Sequence, residues 1–316
     1  MILAIRAVED HSRLIGILPF YRTTYGFGAP LSFSYIRPLG SDPNVTEVQT
    51  ALILPGEEGV TMVAAEQYFA DRFCVWDLLN WGAFPDGSGP PRRLLGRPVS
   101  SDRHPPVEMF LVRPPGSWDA FCGTLTRNTR EAIRKAHNAL KRDGLAAEFQ
   151  VVEDAKEILA LLPRFFDLHK RRAELNAVVS HPNLFARDHH REFLMGIVAA
   201  IGADGMVRRF VLRVRGEIVA LRLGFVIMDT LYFYNSGFDP AYGKYSVMTR
   251  LVIEAFKWAI ESGLATINLS SGRDRSKLRW NPEVVYYRSY SHVRPRWRSR
   301  VAWVVINSLA ADRRVP

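Results

Sequence analysis

The stretch from Glu217 to Trp280 limits the fold more than any other part of this chain. EIVALRLGF (217–225) alternates apolar and polar residues, and LYFYN (231–235) carries the bulk of a central strand. A glycine-containing loop follows, and then a helix expected over 247–262. On it Leu251, Val252, Ala255, Phe256, Ala259 and Ile260 share one broad face, and Gly263 stops it. ATINLSS (265–271) is a third strand, and a basic loop ends at Lys277 and Trp280. Strands alternating with helices predict a mixed α/β sheet. A loop that enters a helix presents free N–H groups and the positive end of a helix dipole, which suits a phosphate-bearing ligand.

The first third reads as a weak copy of the same plan. LAIRAVED and RLIGILPFYR make a strand pair, FSYIRPLGSDP a strand and turn, GVTMVAAEQYFADR a helix and CVWDLLNW a short strand. Its counterpart is RRFVLRVRGE, EIVALRLGF, LYFYNSGFDP, the 247–262 helix and ATINLSS, with a hairpin turn at Arg215, Gly216 and Glu217. YIRPLGSDP and YFYNSGFDP are the closest local match. Between the halves lie a Pro- and Gly-rich loop (84–98), the strand VEMFLVR, one helix over 117–143 closed by Gly144, and helices over 154–172 and 186–200. The expected division is 1–115, a connecting basic helix in 116–150, and 151–316.

Charge is unevenly placed. The net formal charge is +10, yet residues 1–105 hold nine Arg, no Lys and eleven Asp and Glu, a balance of −2 that leaves +12 on the remainder. A basic half implies an anionic partner: phosphorylated cofactor, nucleic acid, acidic glycan or membrane surface. Two cysteines, Cys74 and Cys122, are too few for a disulfide framework or a zinc cage, and the histidines lack metal spacing, so no metal is expected. No apolar run reaches the roughly 20 residues that span a bilayer, and the start meets polar residues too early for a signal peptide. The expected location is cytoplasmic, peripheral to the inner membrane if the basic aromatic tail Arg294–Arg300 with Val301 to Ile306 lies on an anionic membrane surface. The alternative for that tail is a final helix packed on its domain.

The order GEIVALRLGF, YFYNSGFDPAY, KYS, helix, NLSSGRDRSKLRW resembles the CelD-like acetyltransferase group of the GNAT superfamily, which is related to the Fem-type peptidyl and aminoacyl transferases. LIGILPF, WDLL and WDAF with RNTREAIRKA fit as well, so the resemblance covers most of 13–290. It implies tandem GNAT-like domains, the N-terminal one incomplete, with acetyl-CoA or another acyl-CoA as co-substrate. In such folds the central strand splays from its neighbour, and the loop after it holds the donor pyrophosphate. That loop is here Gly243, Lys244, Tyr245, Ser246, Val247 and Met248. Three departures stand out. Val247 and Met248 occupy the place of a small glycine, and Ser276-Lys277 replaces a Tyr-Lys pair. The chain also starts where the group has a further strand and helix, so either the first domain is trimmed or the true start lies upstream.

Roles follow from residue chemistry, each beside an ordinary alternative. Lys277 can stabilise an oxyanion or simply be solvated. Tyr245 and Tyr234, with Tyr242, can protonate a departing thiolate or merely pack. Arg130 and Arg134, with Arg127, can hold substrate phosphates or form a solvated helix face, and Trp280 closes the substrate side. Asp239 can be a base or shape a turn. Three functions compete. One is acyl transfer, most simply of acetyl, to an amine or hydroxyl on a small-molecule, glycan or peptide acceptor in polysaccharide or cell-envelope metabolism. The second is a Fem-type reaction using aminoacyl-tRNA. The third is a non-catalytic GNAT-like binding scaffold.

Overall fold

The computed structural model describes residues 1–26, 32–40, 46, 48–72, 75–90, 94–95, 99–100, 106–175 and 181–312. In chain order the strands are β1 (Ile2–Arg6), β2 (Leu14–Tyr25), β3 (Phe33–Pro38), β4 (Leu52–Ile53), β5 (Leu78–Pro85), β6 (Val99–Ser100), β7 (Val107–Val112), β8 (Ala147–Val152), β9 (Val207–Val214), β10 (Glu217–Ile227), β11 (Thr230–Phe238), β12 (Thr266–Ser271) and β13 (Glu283–Val293). The helices are α1 (Glu58–Asp71), α2 (Trp118–Thr124), α3 (Arg127–Arg142), α4 (Ala155–Ala173), α5 (Asp188–Ile201), α6 (Val247–Glu261), α7 (Arg275–Leu278) and α8 (Trp297–Asp312). They form two compact units, Met1–Glu108 with Val285–Pro316, and Met109–Val284. The basic helix expected to connect domains therefore belongs to the second unit, and the C-terminal tail returns to the first.

That return is a strand pairing. β13 runs antiparallel to β5 from Tyr287↔Pro85 to Val293↔Leu78. β5 in turn pairs in parallel with β3, which is antiparallel to β2, and β2 to β1. α1 covers this sheet through Met62, Ala65 and Phe69 in a cluster with Phe20, Trp76 and Trp81. Phe69 meets Phe20 and Trp81 edge-on at 5.4 and 5.5 Å. The strand expected over CVWDLLNW begins later, at Leu78. Trp76 is buried and donates its indole N–H to Phe69 O at 3.1 Å, while Cys74 lies outside the described residues.

The second unit orders its strands β7-β12-β11-β10-β9-β8. β9 and β10 form the expected hairpin. Arg215 and Gly216 take φ of 52° and 81°, the two left-handed residues of a tight turn between Val214 and Glu217. β11 and β12 are the parallel pair that α6 bridges. The strand–strand–strand–helix–strand order thus recurs in both units. One sheet face buries Phe110, Phe210, Leu212 and Phe233 beneath α2, α3 and α6, with Phe256 of α6 in the same cluster, and the other buries Val207, Val211, Leu221 and Leu223 beneath α4 and α5.

The single helix expected over 117–143 is two. Leu125 leaves helical geometry with ψ of 154°, and Thr126 then caps α3 by accepting Thr129 N–H at 3.3 Å. Ser117 caps α2 in the same way through Ala120 N–H at 3.2 Å. Two side-chain caps nine residues apart outcompete one continuous helix because each satisfies an otherwise orphaned donor. α4 starts where expected, with Asp154 accepting Glu157 N–H at 2.9 Å. No described helix is long and apolar enough to cross a membrane.

Candidate functional site

β11 and β12 pair only from Thr230↔Thr266 to Tyr232↔Asn268, although β11 runs on to Phe238 and β12 to Ser271. Both strands carry an irregularity where they part. Opposite β10, Arg222 faces Ser236 but Gly224 faces Phe233, so β11 holds one extra residue there. Opposite β7, β12 gains one between Asn268 and Ser271, with Ser270 at φ 76° and its N–H held by Asn268 Oδ1 at 2.8 Å. Bulges increase local twist and turn strands away from their partners. The result is a wedge with a cavity of about 240 Å³.

Four elements line it. β11 gives Ser236 and Phe238, β12 gives Leu269, the first turns of α6 give Met248, Thr249 and Val252, and the α7 segment gives Ser276, Lys277, Arg279 and Trp280. Arg222 of β10, Arg172 and Leu175 at the end of α4, and His181 complete the wall. Trp280 is 3% exposed and stacks on Phe256 at 4.7 Å, so it is both core and cavity wall. Lys277 Nζ donates to Ser271 O and lies 3.9 Å from Asp274. Asp274 caps α7 through Ser276 and Lys277 N–H at 2.7 and 3.2 Å, and hydrogen bonds from Ser276 and the Lys277 charge hold its carboxyl below the usual range against the effect of burial.

The residue that fixes the far wall is Gly237. A Cβ there would sit 2.4 Å from His169 N and 2.6 Å from Leu168 C, so only glycine lets β11 press against the α4 backbone. That approach lets His169 Nδ1–H donate to Ser236 O at 3.0 Å and Arg172 donate to Ser236 Oγ at 2.8 Å. Ser236 is 2% exposed, and Arg222 reaches the same oxygen at 3.5 Å. Arg172 also donates to His181 Nε2 at 2.9 Å, which requires that nitrogen to be unprotonated. Burial, and then the Arg172 charge, push the His181 pKa down. Burial lowers Arg172 as well.

The loop ahead of α6 takes a form the sequence did not reveal. Pro240–Tyr245 is a turn of 3-10 helix, started by Asp239, which accepts Ala241 N–H at 3.0 Å. Ser246 is left-handed at φ 54° and makes no side-chain cap. Ser246 N–H is used by Gly243 O and Arg250 N–H by Ser246 O, but the N–H groups of Val247, Met248 and Thr249 meet no acceptor among the described residues. Gly243, Lys244 and Ser246 are exposed. Val247 turns into the core at 1% exposure, and Met248 lines the wedge.

Of the residues singled out from the sequence, Lys277, Trp280 and Met248 therefore meet in one cavity. The two tyrosines do not join them. Tyr245 donates its hydroxyl to Asp143 Oδ2 at 2.8 Å and packs at 8% exposure in the α3-side cluster. Tyr234 packs against the α4–α5 cluster, its ring 5.6 Å from Phe225. Arg130 and Arg134 are exposed on α3, where Arg130 donates to Leu125 O. Sequence reasoning missed Arg172, Arg222, His181 and Ser236. Only Gly237, a glycine inside a strand, signalled that another backbone comes close there. No group of three or more His, Cys, Asp or Glu able to hold a metal occurs among the described residues.

Comparison with known proteins agrees with this geometry. Residues 127–278 match the acetyltransferase (GNAT) domain family, and this part of the chain has a GNAT-type fold. The crystal structure of FemX superposes with a TM-score of 0.60 at 11% identity, covering 97% of this chain and 90% of that one. The C-terminal domain of an Agrobacterium fabrum protein assigned as a lysylphosphatidylglycerol synthetase gives 0.50 at 12%, covering 98% and 88%. A conserved protein of unknown function from Bacteroides thetaiotaomicron gives 0.50 at 13%, covering 88% and 83%. At such identities the likeness is one of fold. No curated protein matches the chain significantly.

Proposed function

We propose that the protein transfers an acyl group, most simply acetyl, from acyl-CoA to an amine or hydroxyl acceptor. One observation carries this reading: the wedge between β11 and β12 opens beside three unused N–H groups at the start of α6. The donor's diphosphate sits on the Val247, Met248 and Thr249 amides, whose N–H groups at a helix start favour an anion. Its thioester arm enters the wedge past Met248 and Phe238. The acceptor's nitrogen or oxygen attacks the thioester carbon and loses its proton to water. The new C–N or C–O bond replaces the C–S bond, and CoA leaves as the thiol. Lys277, held by Ser271 O and Asp274, gives the wedge a cation near the developing oxyanion. Holding donor and acceptor together supplies much of the acceleration without a covalent enzyme intermediate. We assign the proton to water rather than to Tyr245 or Tyr234, because the Tyr245 hydroxyl donates to Asp143 and the Tyr234 ring packs on the α4–α5 cluster.

The acceptor class we favour is a glycan or peptide of polysaccharide or cell-envelope metabolism, from the CelD-like resemblance. The Fem-type reading, with an aminoacyl-tRNA donor, gains support from the four cations in the wedge wall. Calorimetry with acetyl-CoA, coupled to a free-thiol release assay over amine and hydroxyl acceptors, tests the proposal. Saturable binding with acceptor-dependent thiol release is expected. Absence of binding at millimolar donor overturns it. tRNA binding that falls steeply with salt would then favour the Fem-type donor, and donor binding without thiol release on any acceptor would favour a scaffold.

A further inference from the structure

α1 is apolar around more of its circumference than one packed face needs. Met62, Ala65 and Phe69 meet the core of the first unit. Val60, Val63 and Ala64 recur at helical spacing on a second face, and that face lines a cavity of about 1160 Å³. A helix that is apolar all round is normally covered all round, yet Val60 is 60% exposed. The other walls are apolar as well, with Ala51 and Ile53 at β4 and Phe84 and Pro85 at the end of β5. Leu52 and Leu54, which flank Ile53, are exposed too. All of these residues belong to the first unit.

The cavity is at least as large as the about 300–1,000 Å³ of most small-molecule sites, and its lining is of the same kind, mainly apolar with a few polar groups. Two of those polar groups are engaged. Gln67 donates to Asp71 at 2.7 Å, and Ser88 donates its hydroxyl to Pro85 O at 2.7 Å. Thr50 offers a neutral hydroxyl. Glu58, in the first turn of α1, makes no hydrogen bond or ion pair among the described residues. No Lys, Arg or His joins it in the lining, and residues 1–105 hold no Lys and a net charge of −2. Glu58 already complements the positive end of the α1 dipole. An anionic head entering there meets a carboxylate, whereas a cation finds its partner.

We propose that this cavity binds a cationic amphiphile, an aliphatic amine whose alkyl chain lies along the second face of α1 and whose ammonium pairs with Glu58. The apolar walls supply affinity, about fourfold for each methylene taken out of water. The carboxylate selects the head group. None of the residues that line the wedge contributes to this cavity. The site therefore stands whether or not the wedge transfers acyl groups.

Calorimetry on the full chain, without acyl-CoA, compares dodecylamine, octylamine and dodecanoate below their micelle-forming concentrations. Dodecylamine should bind saturably, about fivefold tighter than dodecanoate and at least about tenfold tighter than octylamine. Glu58→Gln should erase the head-group preference. Glu58→Lys, a surface change that leaves the urea midpoint in place, should invert it. Ala64→Trp fills the cavity and should weaken dodecylamine at least about tenfold; if that variant fails to fold, Glu58→Lys decides alone. Failure of dodecylamine to saturate by about 100 µM, equal affinity for amine and carboxylate, or a preference unchanged in Glu58→Lys overturns the proposal. So does a dimer in sedimentation velocity that Val60→Asp dissolves, because a second copy of the chain would then be what covers α1.

Discussion

Gly237→Ala tests whether the far wall of the wedge depends on the backbone contact beneath it. The added methyl would lie 2.4 Å from His169 N and 2.6 Å from Leu168 C. Ordinary contacts lie at about 3.5–4.0 Å, so α4 and β11 must separate by roughly 1 Å. Both obstructing atoms are backbone, so no side-chain rotation relieves the clash. A shift of that size would stretch the Arg172–Ser236 hydrogen bond from 2.8 Å, and the His169–Ser236 bond from 3.0 Å, past useful range. Overpacking costs about 1–3 kcal/mol, and each weakened hydrogen bond adds about 1 kcal/mol. The expected loss of stability is therefore about 2–4 kcal/mol, read from urea midpoints at constant slope. Gly243→Ala is the control. Its Cβ would meet nothing nearer than Phe238 Cε2 at 3.9 Å, so a change within about 0.5 kcal/mol is expected. If Gly237→Ala costs no more than Gly243→Ala, the packing argument for the far wall is refuted.

Arg209→Met should stabilise the protein. Arg209 is fully buried on β9 with its three guanidinium nitrogens lacking hydrogen-bond partners among the described residues, and burial lowers its pKa to about 9. That shift bounds the cost at roughly 5 kcal/mol. The Phe165 ring 4.4 Å away returns about 2 kcal/mol, leaving a gain of about 2–3 kcal/mol in urea melts at neutral pH. Because the folded pKa lies below the unfolded one, the full penalty applies below pH 9 and fades as pH rises above it, so the mutant's advantage should shrink in that direction; destabilisation by Arg209→Met would show that the guanidinium has an unseen partner. On α8, Trp297, Val301 and Val305 are exposed while Ala302 is buried against Tyr35 and Leu78. The chain should co-sediment with phosphatidylglycerol vesicles but not with phosphatidylcholine, and Val301→Asp should abolish this; equal pelleting of both vesicle types would rule out anionic-membrane contact.

How much of this was legible in the sequence depends on the range of the forces involved. β9 to β12 and α6 could be read directly, because alternation, the Arg215-Gly216 turn and the apolar face from Leu251 to Ile260 are local signals. Lys277 and Trp280 were found through the order of motifs around them. β8 escaped notice because it is a short strand at the end of the strand order, with only Val152 fully inside. The pairing of β13 with β5 joins residues some two hundred positions apart, and no local pattern marks it. The tyrosines were misplaced for a different reason. A phenol near a predicted loop looks available, but Tyr245 meets Asp143 only because α3 packs beside the loop, and that is a tertiary fact. Arg172 and Arg222 sit on different elements and look like ordinary basic residues until Gly237 and the β11 bulge bring them to one hydroxyl.

The two anion-binding features of the wedge rest on different physics, and the difference assigns them different tasks. The α6 amides are dipoles at an exposed, uncapped helix start. They bind an anion without carrying net charge, so they can hold a diphosphate that must also leave as product. Arg172 at the other end has its pKa lowered by burial and donates to Ser236 and His181. It discriminates through the charged donor that it offers to an acceptor group on the substrate. A split sheet with a permissive grip at one end and a charge-selective one at the other suits a reaction in which a common carrier meets a specific partner. By that logic, selectivity is to be sought in Arg172 and Arg222 rather than in the glycine loop where phosphate chemistry first drew attention.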